Sequence, residues 1–204
     1  MECQTITTVP EVNKILVIVG PSGVGKDTLM KKVLDKYPGK FNKAVTYTSR
    51  KMRPGEKEGY NYYYATQEEF LKLKDEDRLV EHFFYSGNYY GLSKKELKDG
   101  TKGDKILYLN IGISGAKKVH ELNIPANFVA ILPPSEETLE KRLKGRGTES
   151  EEVIKERLEI AKTETREIDK SSFFNCKVYN DDLDIAIIEM EEKLKNLYPR
   201  NFNL

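Results

Sequence analysis

A run of seven residues near the start of the chain has the composition of a phosphate-binding loop: Gly20-Pro21-Ser22-Gly23-Val24-Gly25-Lys26. Closely spaced glycines let backbone N–H groups turn toward an anion, and the lysine can reach the outer phosphates of a nucleotide. The run follows the apolar segment Ile15–Val19 and precedes a helical pattern, whose positive end faces the same anion. A glycine-rich turn without a ligand is the alternative, but it leaves Lys26 without a structural reason to be there.

The loop departs from the phosphate-loop pattern at one position. The pattern places Ser or Thr directly after the lysine, and this chain has Asp27 followed by Thr28. A carboxylate beside bound phosphates is repulsive unless a cation lies between them. Asp27 can therefore help to hold Mg²⁺, directly or through water, or it can cap the helix or face solvent. The sequence leaves these alternatives open.

The elements that must position this loop alternate between strand and helix patterns, which is typical of a doubly wound α/β fold with a parallel sheet. Strand patterns cover residues 15–19, 105–109, 128–132 and 174–179, and helix patterns cover 26–36, 114–122, 135–144 and 183–197. A long charged helix is predicted to follow a cap at Thr148 and to run to about Asp169. Ligands of such sheets bind at the carboxyl ends of the strands, where the loop lies.

Residues 41–100 have a different character, because they are rich in Tyr and Lys and contain only short strand patterns. The pair Thr66 and Glu69 and the pair Ser93 and Glu96 have the spacing of capping boxes, which predicts two short helices. The segment therefore predicts a small mixed insert rather than a repeat of the first strand–loop–helix unit.

The overall composition excludes several classes of protein. The chain has 34 Lys and Arg against 33 Asp and Glu, and the resulting charge of +1 gives no support to general binding of nucleic acid or membrane surfaces. Hydrophobic residues make up 38% of the chain, enough for a core, so wholesale disorder is excluded. The apolar run at 15–19 is far shorter than the ~20 residues that span a membrane. Residues 1–10 show no signal-peptide pattern.

The few cysteines and histidines argue against a metal centre built from them. Cys3 and Cys176 lie far apart, which excludes a disulfide scaffold and a cysteine zinc site and favours a reducing, cytoplasmic setting. His82 and His120 leave little room for a histidine metal site, and we expect no catalytic role for them. Cys176 is expected to be a core thiol.

With these residues in view, the chain resembles the guanylate kinases over roughly residues 12 to 198. The matching motifs, beyond the phosphate loop, are Thr48-Ser49-Arg50, Arg53, Gly55-Glu56, Gly59 with Tyr62, Glu81, Ser86-Gly87-Asn88-Tyr89-Tyr90-Gly91, Pro133-Pro134-Ser135, Arg142-Leu143, Gly145-Arg146-Gly147-Thr148-Glu149, Arg157-Leu158 and Asn180-Asp181-Asp182. The resemblance implies transfer of the terminal phosphate of ATP to GMP with Mg²⁺. It also implies a phosphate-loop core with helices on both faces of a parallel sheet (residues 1–40, 101–140 and 170–204), a GMP-binding insert (41–100) and a helical lid (141–169).

The resemblance also implies which residues serve ATP and the transfer. The ATP-binding set is the phosphate loop from Gly20 to Thr28, namely Gly20, Pro21, Ser22, Gly23, Val24, Gly25, Lys26, Asp27 and Thr28, together with Asn180 and Asp181 beside the adenine. The catalytic set is Lys26, Arg53, Arg142, Arg146 and Arg157, whose charges would neutralise the transferred phosphoryl group. For the lid arginines the alternative is a solvated pair of charged helices with ordinary ion pairs.

At the GMP end the resemblance implies that Glu81 reads guanine. A carboxylate can accept from both N1–H and the 2-amino group, a pair of donors that adenine lacks. The implied GMP-binding set is Thr46, which offers a hydroxyl to O6, Arg50, Arg53, Tyr62 and Tyr90, which face the phosphate, and Glu81, Gly91 and Ser93.

Three residues depart from the family pattern at this end. Leu92 stands where a hydroxyl is usual, and Asn110 and Gly112 stand where the family carries two acids, one near the guanine edge and one near the metal. Their absence predicts weaker GMP binding. Tyr60, Tyr63 and Tyr64 are expected to be ordinary strand residues.

Two other functions stay open at this stage. One is an interaction module of the same fold that binds protein ligands, and the other is a kinase of the same architecture that acts on another nucleotide or a sugar phosphate. A monomer is the favoured oligomeric state. The tail from about Tyr198 to Leu204 shows no interpretable pattern, and its composition allows disorder.

Overall fold

Two β-sheets and eight helices organise the part of the chain that the computed structural model describes, residues 13–85, 87–145 and 151–202. The strands are β1 (Ile15–Val19), β2 (Phe41–Lys43), β3 (Tyr47–Thr48), β4 (Tyr63–Tyr64), β5 (Leu79–Tyr85), β6 (Asn88–Ser93), β7 (Ile106–Asn110), β8 (Asn127–Leu132) and β9 (Cys176–Tyr179). The helices are α1 (Lys26–Lys36), α2 (Gln67–Asp75), α3 (Lys94–Gly100), α4 (Ile113–Glu121), α5 (Glu136–Lys144), α6 (Glu151–Lys170), α7 (Leu183–Leu197) and α8 (Pro199–Phe202).

The larger sheet is parallel throughout, with strand order β2-β7-β1-β8-β9. Alternate residues of β1 point to opposite faces, as the twofold repeat of a strand requires. Leu16 and Ile18 pack with residues of α1 and α7, whereas Ile15, Val17 and Val19 pack with residues of α4 and with Ile168 of α6. This confirms the predicted α/β fold with helices on both faces of a parallel sheet.

The smaller sheet has the order β4-β3-β6-β5 and mixes one parallel pair with two antiparallel pairs. Both predicted helices form beside it, but only the first begins with the predicted capping box. Thr66 and Glu69 make a reciprocal capping box at the start of α2, and the Ser93 hydroxyl accepts the backbone N–H of Glu96 at the start of α3. A β-bulge between Leu79 and Glu81 shifts the register of β5 against β6.

The structure differs from the sequence prediction in the sheet to which β2 belongs and in the order of the tail. Strand β2, placed in the 41–100 insert by the sequence, pairs with β7 and so belongs to the larger sheet. The tail is ordered through residue 202, since Tyr198 is fully buried and donates a 2.7 Å hydrogen bond to the carbonyl of Ile15, and Phe202 packs its ring edge against Tyr37. A lone Tyr and Phe gave no periodic pattern, which is why the sequence did not show this docking.

Helices α5 and α6 pack on each other through a small apolar seam of their own. Its members are Leu139 and Leu143 of α5 and Ile154 and Ala161 of α6. The predicted cap at Thr148 lies outside the described residues. Within the described part of the chain, no helix is both long enough and apolar enough to cross a membrane.

Candidate active site

A cleft of about 270 Å³ opens at the carboxyl ends of β1 and β7, between the two sheets and α6. It is lined by Gly20, Ser22, Gly23, Gly25, Lys26, Asp27, Thr28, Thr46, Arg50, Arg53, Tyr62, Glu81, Phe83, Tyr85, Tyr90, Gly91, Asn110, Ile111, Gly112, Arg157 and Glu164. One continuous cavity thus joins the phosphate loop to most of the residues predicted to bind GMP.

The path of the phosphate loop requires glycine at several positions, of which Gly20 and Gly25 are the clearest. A side chain at Gly20, the residue after β1, would overlap the carbonyl oxygen of Ile131 on β8. Gly25, the N-cap of α1, has φ of 95°, a left-handed conformation that favours glycine. The loop therefore lies tight against the sheet and delivers the N-terminus of α1 into the cleft, where unpaired N–H groups can face an anion.

The loop itself holds the lysine over the cleft. The Lys26 ammonium donates to the carbonyl of Gly20 at 2.6 Å and to that of Pro21 at 3.1 Å. These contacts keep the positive charge at the mouth of the loop, where outer phosphates of a bound nucleotide would lie.

Asp27 points across the cleft rather than capping α1, since the N-cap is Gly25 and makes no side-chain cap bond. An Asp27 carboxylate oxygen accepts a 2.9 Å hydrogen bond from the side-chain amide of Asn110, at the end of β7. Asp27 and Asn110 both line the cavity, as does the neighbouring Thr28. Carboxylate, amide carbonyl and hydroxyl oxygens are the donors that Mg²⁺ prefers, so this corner has suitable chemistry for the ion.

Arg50 lines the cleft and is held there by an ion pair and by a ring contact. Its guanidinium donates to both oxygens of Glu56, at 2.5 and 2.7 Å, and lies 5.0 Å from the ring centre of Tyr62. The Tyr64 hydroxyl donates to the same Glu56 at 2.6 Å. This network raises the pKa of Arg50 and, because of the Arg50 ion pair above all, lowers the pKa of Glu56 to about 2.

The Arg50 network leaves donors for a ligand. Of the five N–H donors of a guanidinium, Glu56 takes two and the carbonyl of Lys51 takes a third. Tyr64, which the sequence treated as an ordinary strand residue, therefore supports the site through Glu56. Its distance in sequence from Arg50 hid this role.

Aromatic side chains form one wall beside Arg50. The rings of Tyr62 and Tyr90 meet edge to face at 6.1 Å, and Phe83 stacks on Tyr90 at 5.5 Å. Burial raises the pKa of Tyr62, which keeps its hydroxyl protonated and able to donate. Arg53 lies exposed at the rim of this wall.

Glu81 is the most unusual side chain of the cleft. It is only 4% exposed, and neither of its carboxylate oxygens accepts a hydrogen bond from any residue that the structure describes. Burial raises its pKa to about 7, and the nearby backbone N–H of Leu92 offsets this only in part. A buried carboxylate without partners is costly, and its natural explanation is a ligand that supplies donors.

Four lining residues, Phe83, Tyr85, Ile111 and Glu164, were not predicted from the sequence, although local patterns point to three of them. Glu81, Phe83 and Tyr85 alternate along β5 and so face the same side, which the twofold repeat of a strand predicts. Arg157 and Glu164 lie seven residues apart on α6, two helical turns, and so share a helix face. The positive charge of Lys26 acts on Glu164 and partly opposes the rise in its pKa that burial causes.

Arg142, predicted to be catalytic, and Asn180 and Asp181, predicted to bind ATP, lie behind the phosphate loop and do not line the cavity. The Arg142 guanidinium donates to the carbonyls of Asn180 at 2.7 Å and Asp181 at 2.9 Å. The Asn180 amide donates to the carbonyl of Val24 at 2.7 Å, while its own side-chain oxygen is buried without a partner among the described residues. This arrangement fastens the turn after β9 to the loop, and Val24 itself is buried in the core.

Ser93 does not belong to the cavity, contrary to the sequence prediction. It is 8% exposed, and its hydroxyl is used as the cap of α3. Leu92 has no hydroxyl and is fully buried in the apolar core. Because the Ser93 hydroxyl is occupied by the cap, this segment offers no hydroxyl to a base. Thr46 does line the cavity. Arg146 lies outside the described residues.

Comparison with known proteins agrees with this geometry. The family model for guanylate kinase matches residues 12–197. The guanylate kinase of Schizosaccharomyces pombe is 41% identical over 178 residues, which cover 87% of this chain and 88% of that protein. The guanylate kinase of Homo sapiens is 34% identical over 179 residues, with coverage of 88% and 91%. The crystal structure of guanylate kinase from Anaplasma phagocytophilum has a TM-score of 0.66 and 30% identity, covering 91% of this chain and 86% of that one.

The matched region contains both sheets, the phosphate loop and every described residue of the cavity lining. The agreement therefore extends over the whole cleft and not only over the common nucleotide-binding loop. This chain belongs to the guanylate kinase family.

Proposed function

We propose that the chain transfers the γ-phosphoryl group of ATP to GMP within this single cleft, giving ADP and GDP. The observation that carries the proposal is the buried carboxylate of Glu81, which lies without partners in the same cavity as the phosphate loop. A guanine base would supply the two donors that this carboxylate lacks. Family membership gives the reaction, and the roles of individual residues are proposed from their positions.

At the ATP end, the backbone N–H groups of the loop and the start of α1 bind the phosphates. Lys26 exchanges its two carbonyl partners for phosphate oxygens when the nucleotide enters. The Asn180–Asp181 turn is proposed to lie beside the adenine, and Arg142 holds this turn in place. Arg142 would thus support the adenine site from behind and reach the phosphates only if it released these carbonyls.

At the GMP end, Glu81 accepts from N1–H and the 2-amino group of guanine, and Thr46 donates to O6. The ring wall of Phe83 and Tyr90 flanks the base. Donors of Arg50, Arg53, Tyr62 and Tyr90 bind the phosphate, and the clamp on Arg50 by Glu56 fixes its orientation in advance. Fixed donors of this kind lower the cost of ordering the substrate.

Phosphoryl transfer requires the protein to align the two phosphates and to neutralise their charge, and it requires no covalent bond to the protein. The phosphate loop and the Arg50 group line one cavity, and they are proposed to hold the two phosphates in line. Arg157 lines the cleft from α6 and adds positive charge. We propose that the α5–α6 lid, with Arg146 and its neighbours, closes over bound nucleotides and excludes water.

Mg²⁺ is proposed to enter with ATP. Asp27, oriented by Asn110, and Thr28 would hold it directly or through water, and the ion would neutralise charge on the phosphates. Among the described residues no group of three or more His, Cys, Asp and Glu gathers into a metal site. This fits an ion held largely by phosphate oxygens and water.

The metal role predicts a shifted requirement for Mg²⁺ in Asp27→Ser. We expect the Mg²⁺ concentration for half-maximal turnover to rise by about tenfold, because a charged ligand or the partner of a bound water is lost. Asp35→Ser, an exposed residue of the same helix, is the matched control. Calorimetric titration of Mn²⁺ into the ADP complex measures the same loss without turnover. Superimposable metal curves for Asp27→Ser and the parent chain would remove the metal role.

The test of the function is an ADP-release assay with GMP, dGMP, AMP, UMP and TMP as acceptors. We expect kcat/KM for GMP to exceed that for AMP by at least 10- to 100-fold, since an unpaired hydrogen bond to a charged group costs about 1.5–3 kcal/mol. Equal or better use of AMP or a pyrimidine would indicate a kinase for another acceptor. A folded protein that binds neither ATP nor GMP would indicate an interaction module.

We also propose a cytoplasmic, monomeric enzyme, divided into the core, the GMP-binding insert and the lid. The unpaired thiol of Cys176, half-buried against the core, suits a reducing compartment. Light scattering on the purified chain tests the monomer.

A further inference from the structure

Gly115 occupies an unexpected place for a glycine. It is the third residue of α4 and is buried on the side of the helix that faces β5. Its backbone is not among those with positive φ, so the conformation itself does not call for glycine. Glycine inside a helix is less favourable than alanine by about 1 kcal/mol. Some contact must therefore explain why no side chain is present.

The contact is with the carboxylate of Glu81. A Cβ placed on Gly115 would lie 2.7 Å from Oε2 of Glu81 and 3.0 Å from its carboxyl carbon, with the Ile111 side chain at 3.3 Å. Ordinary contact begins near 3.4 Å, so the oxygen would have to move by about 0.7 Å. The atoms in the way form the end of a flexible side chain and not backbone. A methyl group at this position would therefore move the carboxylate while leaving the fold in place.

The direction of the displacement matters for the base. Glu81 lines the cavity and Gly115 does not, so a side chain at Gly115 would press on the carboxylate from α4 rather than from within the cavity. Gly112, the N-cap of the same helix, also lines the cavity and offers no side chain that could take over the contact. The depth at which the Glu81 oxygens lie is thus set from α4 by the missing side chain of Gly115.

We infer that Gly115 is a positioning residue for nucleobase selection, because its lack of a side chain lets the Glu81 carboxylate withdraw far enough for guanine to fit in front of it. The inference rests on the proposed pairing of Glu81 with guanine. Gly115 acts through Glu81 and touches no substrate itself. Its role differs from that of the loop glycines, which shape the backbone.

The test is Gly115→Ala in the full chain, with KM for GMP, KM for ATP, kcat and the thermal midpoint measured together. We expect KM for GMP to rise tenfold or more, because a displacement of this size breaks the paired hydrogen bonds. KM for ATP should change less than twofold, and the thermal midpoint should stay equal or rise, since alanine favours the helix. Ser114→Ala, an exposed neighbour in the same turn, is the control and should leave all four values unchanged.

A second background separates displacement of the carboxylate from general damage to α4. Glu81→Asp withdraws the carboxylate by one methylene and makes room for the alanine methyl. In that background, adding Gly115→Ala should change KM for GMP less than twofold. A similar tenfold rise in both backgrounds overturns the inference. An unchanged KM for GMP in Gly115→Ala also overturns it. So does a Gly115→Ala protein in which the KM values for GMP and for ATP both rise and the thermal midpoint falls. A parent chain that shows no saturable use of GMP refutes the proposed function instead.

Discussion

Lys26→Ala is expected to lower kcat by roughly 10²- to 10³-fold, the loss typical when one preorganised donor to the developing charge is removed. The ammonium is already held at the mouth of the loop by the carbonyls of Gly20 and Pro21. It is therefore already beside the loop when it exchanges these carbonyls for phosphate oxygens. Its charge also acts on Glu164 across the cleft, so removal leaves that side of the cavity more negative.

The fall should be concentrated in kcat, because charge on the transferred group is largest in the transition state. Lys31→Ala, an exposed lysine of α1, is the matched control and should retain normal turnover. Single-turnover measurements at saturating ATP and GMP compare the two variants. A Lys26→Ala enzyme within threefold of the parent kcat would contradict the role of the lysine, provided that its thermal midpoint is unchanged.

Glu81→Gln is expected to raise KM for GMP by about 10- to 100-fold. The amide oxygen of glutamine can accept a hydrogen bond from one of the two guanine donors. Its NH₂ group would face the other donor and could not accept from it. Discrimination against AMP should fall along with GMP affinity, because adenine no longer leaves a buried charge unpaired. The check is kcat/KM for GMP and AMP with both enzymes. Glu58→Gln, a residue outside the cavity lining, serves as the control.

The same carboxylate predicts a pH dependence. Its pKa lies at about 7 in the ligand-free protein, and GMP binds the ionised form. Below pH 7, KM for GMP should therefore rise toward tenfold per pH unit, whereas the Glu81→Gln enzyme should lack this component. The GMP phosphate has its own ionisation near pH ~6, which both enzymes share. Identical profiles for the two enzymes would exclude Glu81 as the titrating group.

The raised pKa of Glu81 should also make the stability of the folded protein depend on pH. An acid whose pKa is raised by folding destabilises the folded state as pH rises from its unfolded pKa, 4.5, to the folded value of about 7. The full cost, on the order of 3 kcal/mol, is present above pH 7 and absent below pH ~4.5. Glu81→Gln should therefore gain thermal stability relative to the parent at pH 8 and lose that advantage at pH 5. GMP should stabilise only the parent strongly.

Local patterns in the sequence were sufficient for the elements around the phosphate loop. The strand Ile15–Val19 is a continuous apolar run, the helix Lys26–Lys36 has apolar residues at helical spacing, and the Thr66 box begins a helix as predicted. These features depend on residues within a few positions of each other. Short strands such as Tyr47–Thr48 carry too few residues for a pattern and exist only through pairing with distant segments.

The candidate site was predictable by residue type but not by contact. The hydrogen bond from Asn110 to Asp27 joins residues 83 positions apart, and the sequence around neither residue predicts it. Ser93 was assigned to GMP by the resemblance, although its spacing from Glu96 also predicted a helix cap, and the cap is what forms. Local hydrogen bonding decided its orientation. The role inferred for Gly115 likewise depends on a through-space approach to Glu81.

The bond between Tyr198 and Ile15 has a consequence for the order in which the protein is made. It joins residues 183 positions apart, and the buried tyrosine completes the layer beneath the strand that leads into the phosphate loop. At a synthesis rate of about 5–20 residues per second, a ribosome makes the earlier partner roughly 10 to 40 seconds before the later one. During translation the nucleotide-binding strand therefore keeps part of its apolar surface uncovered until the residues around Tyr198 have been made.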